Sequence, residues 1–362
     1  MPDTPRPVYL AGTGHALPDW TVSNPDLFDI DAVRDAFDVE QARASLRGVD
    51  PDEAAGLPPV EVFDRWALQV TGIAARRWMP DDGSTTEDLC AAAAREALAH
   101  AAVPASELDM LVVVTLTAYE DVPNAASTVG ARIGRPDLPG FQLNAACAGF
   151  LHGLATAASF IAAGTADTIL VVVGDLLSRI TNFSDPKTAV LFGDGAGAAL
   201  LTAVPGRGRL LGPTRLEGDY SADHLNMVGN GWGEPGGVEH KLSMAGGPHV
   251  LRSAIRSMQG VAERALAEAG LSWDDVDFVI PHQANERITQ GLERSLALAK
   301  GRVLHRIRTL GNVSAATVAI VLDELIRGAH GPLPDPSRIV LTAVGGGYTS
   351  GAAVLEWSGD GG

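Results

Sequence analysis

Cys147 lies where a nucleophilic thiol would be expected, between a short apolar strand and the start of a helix. The segment reads Gly140-Phe-Gln-Leu-Asn-Ala-Ala-Cys-Ala-Gly-Phe150. A thiol at a helix N-terminus lies at the positive end of the helix dipole, which favours the thiolate, and the thiolate is the nucleophile of acyl transfer. A buried structural cysteine would also suit this apolar setting. The segment alone leaves both interpretations open.

Two further polar residues could complete an acyl-transfer centre, because a cysteine nucleophile needs a partner and donors for an oxyanion. His282 follows the apolar run Phe278–Pro281, and parallel α/β sheets place their site loops at such strand ends. Asn312 opens a second small-residue helix, where it could equally be an N-cap. Glycines at 345–347 would let backbone amides approach a substrate closely.

Composition narrows the class of protein. The 362 residues are 46% hydrophobic, enough for a large core, and the length suggests two halves of one compact unit. Two cysteines are too few for a disulfide framework or a thiolate metal cluster, so no metal site is expected. The N-terminus lacks a signal-peptide pattern and no apolar run approaches about 20 residues, which predicts a cytoplasmic protein without a membrane span.

The net charge of −17 argues against general nucleic-acid binding, since phosphate contacts need clustered Lys and Arg. One segment departs from this acidic trend. Between residues 287 and 308 six basic residues face a single acid, Glu293: Arg287, Arg294, Lys300, Arg302, Arg306 and Arg308. The stretch is either a solvated helix face or a docking rim for an anionic ligand or an acidic carrier.

The elements that must position these residues alternate between Val/Ile/Leu-rich runs and Ala-rich helical stretches, which is typical of βα units with buried strands. Strands are predicted at Leu108–Leu116, Thr168–Val173, Ala196–Thr202, Phe278–Pro281 and Arg338–Val344. Helices are predicted at Thr86–Ala101, Ala148–Ala163, Val250–Ala269 and Ser314–Arg327. The glycine-dense segments Phe192–Gly197 and Val344–Thr349 indicate tight turns.

The two halves of the chain resemble each other at the level of elements. Each has an Ala-rich helix before a strand and, later, an Asn-containing turn that opens a small-residue helix. This pattern predicts an internal duplication in which both helix N-termini converge on one site. Residues 25–62 differ, being rich in Asp, Ala, Glu and Pro, and indicate a surface insertion with helical pieces at 31–37 and 40–47. The insertion could be a lid, an interface element or a plain exposed helical hairpin.

Six motifs occur in an order and spacing that resemble β-ketoacyl-acyl-carrier-protein synthase III, a family of thiolase-fold condensing enzymes. They are Asn144–Phe150, Ser178–Asp185, Leu191–Gly197, Ile280–Asn285, Gly311–Ala316 and Gly345–Thr349. The resemblance implies a duplicated five-layer αβαβα thiolase fold with mixed sheets. It also implies an N-terminal half, 1–205, carrying the nucleophile and the insertion, and a C-terminal half, 206–362, carrying the histidine and the asparagine.

The resemblance assigns a role to each central residue. Cys147 would carry the acyl group, and the backbone N–H groups of Cys147 and Gly346 would form the oxyanion hole. His282 and Asn312 would bind the thioester carbonyl of a malonyl extender and stabilise the enolate left after CO2 loss. The implied substrates are acyl and malonyl thioesters of coenzyme A or acyl carrier protein, with no metal or redox cofactor, and the implied assembly is a homodimer.

Residues along the implied phosphopantetheine tunnel match the family only in part. Trp66 matches a tryptophan that stacks on adenine, and Asn285 and Arg287 match residues near the tunnel mouth. Val70 replaces an arginine, however, and Lys187 lacks the planar guanidinium expected at its position. These departures, with the basic stretch, favour a carrier-protein donor over coenzyme A.

The loop Tyr119–Asn124 departs from the family at its acyl-pocket cap. In relatives this loop reaches across the dimer, often with an aromatic residue before the proline, and here that residue is Val122. A smaller cap predicts room for a longer or bulkier acyl group, unless other side chains fill the pocket.

Three functions from different classes follow. The first is decarboxylative Claisen condensation by Cys147, His282 and Asn312, in polyketide or other specialised metabolism rather than in the initiation of fatty-acid synthesis. The second is an acyltransferase that moves an acyl group to a carrier, hydroxyl or amine without condensation. The third is a non-catalytic partner subunit, which the presence of all three residues argues against.

Overall fold

The computed structural model describes residues 5–220, 225–226, 241–244 and 248–359, with no account of side chains at 225–226 and 243–249. The strands are β1 Tyr9–Ala16, β2 Trp20–Ser23, β3 Ala75–Trp78, β4 Met110–Val114, β5 Gly140–Leu143, β6 Thr168–Leu176, β7 Asp194–Thr202, β8 Gly208–Leu210, β9 Arg215–Gly218, β10 Leu225–Asn226, β11 Ser243–Met244, β12 Phe278–Pro281, β13 Ser337–Val344 and β14 Thr349–Trp357.

The helices are α1 Asn24–Phe28, α2 Asp31–Ala36, α3 Val39–Ser45, α4 Pro51–Gly56, α5 Pro59–Thr71, α6 Thr86–Ala101, α7 Ala125–Arg132, α8 Gly149–Ala162, α9 Pro186–Ala189, α10 Pro248–Glu268, α11 Glu286–Leu296, α12 Ile307–Leu310 and α13 Ala316–Ile326. None of these helices, over the residues described, is both long and apolar enough to cross a bilayer.

Strand order confirms the predicted duplication. In the first half β5, β4, β6, β7 and β1 lie side by side, with the first three parallel and the last two antiparallel to their neighbours. The second half repeats this order and these directions with Val303, β12, β13, β14 and β8. Since β8 pairs with both β14 and β1, the two sheets join at their edges. We propose that the halves divide as the 1–205 and 206–362 boundary predicts.

Five layers pack around three hydrophobic cores, which confirms the αβαβα thiolase fold. The central core fills both interfaces of the middle helical layer. One core lies between α6 and the first sheet, and another lies between α10, α11 and the second sheet. The largest core is central, where α8 and α13 pack between the two sheets. Both helices are mainly apolar, as expected for helices that pack between two sheets.

The predicted helix Thr86–Ala101 and strand Phe278–Pro281 have the observed bounds, and the other predicted strands and helices are present with shifted ends. The expectation of a turn at Phe192–Gly197 is wrong beyond Gly193, because β7 begins at Asp194 and is wholly buried. A Cβ at Gly197 would lie 2.5 Å from the Cβ of Ala319. Glycine here permits close packing of a helix on the strand, rather than a turn.

The 25–62 insertion is a packed group of helices and not a plain exposed hairpin. Its helices α1–α3 enclose a core of their own with α5, in which Phe37 packs on Phe63 and Trp66 at ring-centroid distances of 4.9 and 5.1 Å. The helical pieces predicted at 31–37 and 40–47 correspond to α2 and α3. The insertion thus lies against the helix that carries Trp66.

Candidate active site

Cys147, His282 and Asn312 line one cavity of about 80 Å3, as the sequence predicts. The three glycines Gly345, Gly346 and Gly347 also line this cavity. Its remaining walls are mostly apolar and include Phe192, Val250, Ala254, Met258, Ala284, Ile288 and Val344. A few polar groups converging in an apolar pocket are the usual form of a small-molecule site.

Two equivalent turns bring the nucleophile and the asparagine together at the start of the central helices. In the first turn Asn144 Oδ1 accepts a hydrogen bond of 3.1 Å from the backbone N–H of Ala146. In the second, Asn312 Oδ1 accepts one of 3.0 Å from the backbone N–H of Ser314. Both turns use a positive φ at a non-glycine residue, 47° at Ala146 and 51° at Ser314. The convergence of two helix N-termini is therefore confirmed.

Cys147 lies on the single 3-10 turn that precedes α8 and is only 7% exposed. Its Sγ is 3.9 Å from the hydroxyl oxygen of Ser314, so the second turn contacts the nucleophile directly. Ser314 is a residue that sequence reasoning did not single out. The signal available was its place in the Gly311–Ala316 motif, but the left-handed backbone that aims it at Cys147 cannot be read from residue types.

Burial raises the pKa of the Cys147 thiol to about 12, the opposite of the shift expected from the helix terminus. Removing the thiolate from water is the largest contribution, and the buried Asp175 carboxylate adds repulsion. The hydrogen bond from Ser314 acts in the other direction but is smaller. The site at rest therefore holds a neutral thiol.

His282 directly follows the buried strand β12, and its backbone N–H donates to Thr342 O at 2.8 Å. Burial lowers the pKa of its imidazole to about 4, and an interaction with the Ser314 backbone offsets only part of that shift. Neither ring nitrogen makes a hydrogen bond of normal geometry within the described structure. The ring is thus neutral at pH 7, and a bound ligand is the natural partner for its polar atoms.

Asn312 is 4% exposed and is fixed through its backbone, whose N–H donates to Leu191 O at 2.8 Å while its C=O accepts from Gly193 N–H at 3.0 Å. It does not cap α13, which begins at Ala316 without a side-chain cap. Because Oδ1 holds the turn, the amide NH2 is the group left to donate into the cavity.

The glycine turn after β13 lies against the nucleophile. A Cβ on Gly345 would lie 2.9 Å from the backbone nitrogen of Cys147, and Gly347 has a φ of 74°. Only glycine allows such an approach without displacing the backbone. The neighbouring Gly346 and the Cys147 amide are the candidate oxyanion donors, and the structure places both on the same cavity.

Asp175 is a second residue that sequence reasoning missed. It lies at the end of β6, 1% exposed, and accepts hydrogen bonds from the Thr115 hydroxyl at 2.9 Å and the Leu116 backbone N–H at 2.8 Å. Burial raises the pKa of this carboxyl to about 6. Its charge bears on the ionisation of Cys147, and no spacing rule links it to the cysteine.

Most of the residues expected to hold the pantetheine handle line a separate groove of about 590 Å3. Trp66, Lys187 and Arg287 line it together with Val70. Asn285 does not line either hollow. It caps α11 through its Oδ1 and donates to Val70 O at 3.0 Å, so both ends of its amide serve to join α11 to α5.

Val122 does not line the cavity of its own chain. It is 88% exposed on the loop between β4 and α7, next to Tyr119, which is 74% exposed. A role as a cap therefore requires a second copy of the chain.

The basic stretch divides into two kinds of residue. Arg302 and Arg306 are used within the fold, where they donate to Val276 O and to the Glu324 carboxylate. The other four are exposed: Arg287, Arg294, Lys300 and Arg308. Among the side chains the structure describes, no group of three His, Cys, Asp or Glu is arranged to hold a metal ion.

Comparisons with known proteins show which family the chain belongs to. Models for 3-oxoacyl-[acyl-carrier-protein] synthase III and for its C-terminal part match residues 141–219 and 266–357. A β-ketoacyl-[acyl-carrier-protein] synthase III of Desulfitobacterium hafniense is 37% identical over 357 residues, covering 97% of this chain and 98% of the relative.

Solved structures show the same likeness. The 3-oxoacyl-[acyl-carrier-protein] synthase III of Aquifex aeolicus is 32% identical, with a TM-score of 0.80 over 97% of this chain and 100% of its own. The priming β-ketosynthase of the R1128 polyketide pathway is 29% identical, with a TM-score of 0.81 over 98% and 97%. With full-length identity of this degree and one shared fold, the chain belongs to the β-ketoacyl-[acyl-carrier-protein] synthase III family.

Proposed function

We propose that the protein is a condensing acyltransferase that loads an acyl group onto Cys147 and joins it to a malonyl-type thioester. The observation that carries this proposal is the meeting of Cys147, His282, Asn312 and the glycine turn in one largely apolar cavity. Each half of the duplicated fold supplies part of it, so neither half has the site alone.

In the first step Cys147 Sγ attacks the carbonyl carbon of the donor thioester. The oxygen becomes an oxyanion and accepts hydrogen bonds from the Cys147 and Gly346 backbone N–H groups. Collapse breaks the carbon–sulfur bond to the donor, and the proton from Cys147 leaves on the donor thiol. The high pKa of the buried thiol means that this proton is held until the donor occupies the site.

In the second step the malonyl thioester carbonyl lies against His282 and Asn312. Loss of CO2 leaves its electron pair as an enolate, which the imidazole N–H and the amide NH2 stabilise. The enolate carbon attacks the acyl carbon and expels the Cys147 thiolate. A neutral imidazole suits this role. With a pKa of about 4, the ring is uncharged at pH 7 and still has one N–H that can donate to the enolate oxygen.

The alternative functions have weaker support. Transfer without condensation does not need Asn312, yet its amide is buried and aimed by a hydrogen bond of Oδ1 to the Ser314 backbone. A non-catalytic subunit would not need the nucleophile. The relatives named above are synthases, one of them a priming ketosynthase of polyketide synthesis, so we assign a fatty-acid or polyketide role.

The proposed substrates are acyl thioesters of coenzyme A or a carrier protein, and a malonyl thioester on acyl carrier protein. The exposed cations Arg294, Lys300 and Arg308 supply a surface for an acidic carrier. The proposed chemistry draws on no metal or redox cofactor. We further propose a cytoplasmic homodimer in which the exposed Val122 of one copy caps the acyl pocket of the other.

Intact-protein mass spectrometry combined with product analysis tests this function. Wild-type protein should gain an acyl mass from a panel of acyl-CoA and acyl-carrier donors and should release a β-keto thioester when malonyl carrier protein is added. An adduct without β-keto product would instead favour simple transfer. Absence of any adduct across the donor panel would contradict the catalytic role.

A further inference from the structure

The groove that holds Trp66 has a second wall made by the 25–62 insertion. The insertion residues on this wall are Ala36, Phe37, Asp38, Gln41, Ala42, Ser45 and Arg47, and they face Trp66, Gln69, Val70, Asp185, Pro186, Lys187 and Arg287. Half of the lining residues therefore come from the insertion.

This wall is held firmly in place. Gln69 of α5 binds the end of α3 at two points, donating through Nε2 to Ser45 O at 2.9 Å and accepting at Oε1 from the Arg47 N–H at 2.7 Å. On the other side of the groove, the Gln69 backbone carbonyl accepts from Arg287 Nη2 at 2.9 Å. One residue thus links the insertion to the helix that forms the opposite wall.

Three cations line this groove on a strongly acidic protein: Arg47, Lys187 and Arg287. Within the described residues, none of the three has a carboxylate within ion-pairing distance. The groove also contains Asp38 and Asp185, but each is engaged as a helix N-cap, accepting from the backbone N–H of Gln41 at 2.9 Å and of Lys187 at 3.1 Å. The exposed cations are therefore available to an anion.

Phe37 shows what shape of ligand the groove accepts. Its ring packs against Trp66 at an angle of 57°, and Trp66 keeps part of its surface exposed to the groove. An aromatic face beside three cations suits a ligand that joins an apolar or planar part to phosphate.

We propose that the insertion makes Arg47 a specificity-determining residue, which contacts a phosphate ester of the donor's pantetheine handle in place of the cation lacking at Val70. The inference rests on the proposed function for the identity of the handle. The shared chemistry is a pantetheine phosphate, which either coenzyme A or the arm of a carrier protein can supply.

Isothermal titration of the full-length protein with three probes tests this inference. The probes are coenzyme A, 4′-phosphopantetheine and pantetheine, of which the last has no phosphate. Arg47→Ala should raise the Kd for a phosphate-bearing probe roughly tenfold, as expected for loss of a charge-assisted hydrogen bond. Arg47→Lys should recover part of the affinity. The matched control is Arg34→Ala, an exposed insertion arginine that pairs with Asp31 and does not line the groove.

The two sources of phosphate give different patterns, and both support the inference. If Arg47→Ala raises the Kd for coenzyme A alone, Arg47 contacts the nucleotide phosphates. If it raises the Kd for both coenzyme A and 4′-phosphopantetheine, Arg47 contacts the phosphate that coenzyme A and a carrier arm have in common.

The inference is overturned if Arg47→Ala leaves the Kd values for coenzyme A and 4′-phosphopantetheine unchanged, or if it raises the Kd for pantetheine by the same factor. It is also overturned if the wild-type protein binds neither phosphate-bearing probe. Failure of the proposed function has a different signature. It shows as missing adduct or β-keto product from the wild type in the mass-spectrometric assay, whatever the titration gives.

Discussion

The turns at Asn144–Cys147 and Asn312–Ala315 have the same local structure and opposite surroundings. In each, an asparagine accepts from the N–H two residues on, and that residue has a positive φ. Asn144 is exposed, however, whereas Asn312 is 4% exposed and faces the cavity. The first turn presents a thiol and the second an amide.

This difference shows how a duplicated unit acquires two roles. Local sequence is enough to form both turns, because the hydrogen bond of each asparagine lies within its own segment. Which side chain reaches the cavity is decided by how the two halves pack. The two turns share a backbone structure but present different chemical groups. Variants can test the structure of each turn and the group it presents separately.

The largest effect is expected from Cys147→Ala in the first turn. Loss of the nucleophile should abolish the acyl adduct and lower condensation by about 10^3-fold or more. Cys90→Ala is the matched control, since Cys90 lies on the buried face of α6, outside the cavity. Intact-protein mass spectrometry and product formation measure both. An adduct that persists in Cys147→Ala but is lost in Cys90→Ala would reverse the assignment.

Because His282 is buried beside the second turn, it should make the free energy of unfolding depend on pH. Its folded pKa of about 4 lies below the usual 6.5, so its contribution is present above pH 6.5 and is lost as pH falls toward 4. The shift corresponds to roughly 3 kcal/mol. Asp175 acts in the opposite sense, because its raised pKa of about 6 makes its contribution greatest in acid.

Urea unfolding of the wild type and of His282→Gln between pH 7 and pH 4 isolates the histidine contribution, because Asp175 is common to both proteins. The wild type should lose more free energy of unfolding over this window than the variant. Parallel pH profiles would show that His282 is not held neutral by burial.

Replacing each asparagine by alanine compares the turns directly. Asn312→Ala should slow malonyl decarboxylation by about thirtyfold, the loss of one hydrogen bond to a developing charge, and should spare acylation of Cys147. Asn144→Ala removes the equivalent turn bond without removing a cavity donor, so its effect on decarboxylation should be only a few-fold. Rates of CO2 release and of adduct formation measure the two steps. Equal loss of both steps in Asn312→Ala would contradict its role as an enolate donor.

The smallest effect concerns backbone strain in the first turn. Ala146 has a φ of 47°, a region that costs an L-residue about 1–2 kcal/mol, so Ala146→Gly should preserve stability or raise it by up to about 1 kcal/mol. Ala145→Gly is the control, since Ala145 has a φ of −137° and should lose about 0.5–1 kcal/mol. Thermal unfolding measures both. Equal destabilisation would mean that the positive φ stores no strain.

Much of the architecture can be predicted from the sequence because its signals are local. Phe278–Pro281 and Thr86–Ala101 follow from apolar runs and alanine content, and the order of six motifs predicts the thiolase fold. Cys147, His282 and Asn312 could be chosen because each stands at the end of such an element. Their roles remain predictions until the variants above are measured.

What sequence reasoning missed depends on tertiary contacts. The expectation of a lowered pKa at Cys147 considers only the helix terminus, whereas burial dominates and raises the pKa to about 12. Ser314 reaches the thiol through a left-handed backbone, and Asp175 approaches from a different strand. Phe37 packs on Trp66 across many residues of chain. None of these contacts has a sequence spacing that would reveal it.

The contact between Gly345 and the Cys147 amide also bears on how the protein folds. The two backbones meet so closely that a Cβ would lie 2.9 Å from the amide nitrogen, and the residues are nearly 200 positions apart in the chain. Contacts of such long range form late, since loop closure must come before them. Before residues 345–347 are synthesised, the chain therefore contains Cys147 without the glycine turn that lies against it. Synthesis of the last strands then completes the catalytic centre, so a truncated chain would carry the cysteine without its reactivity.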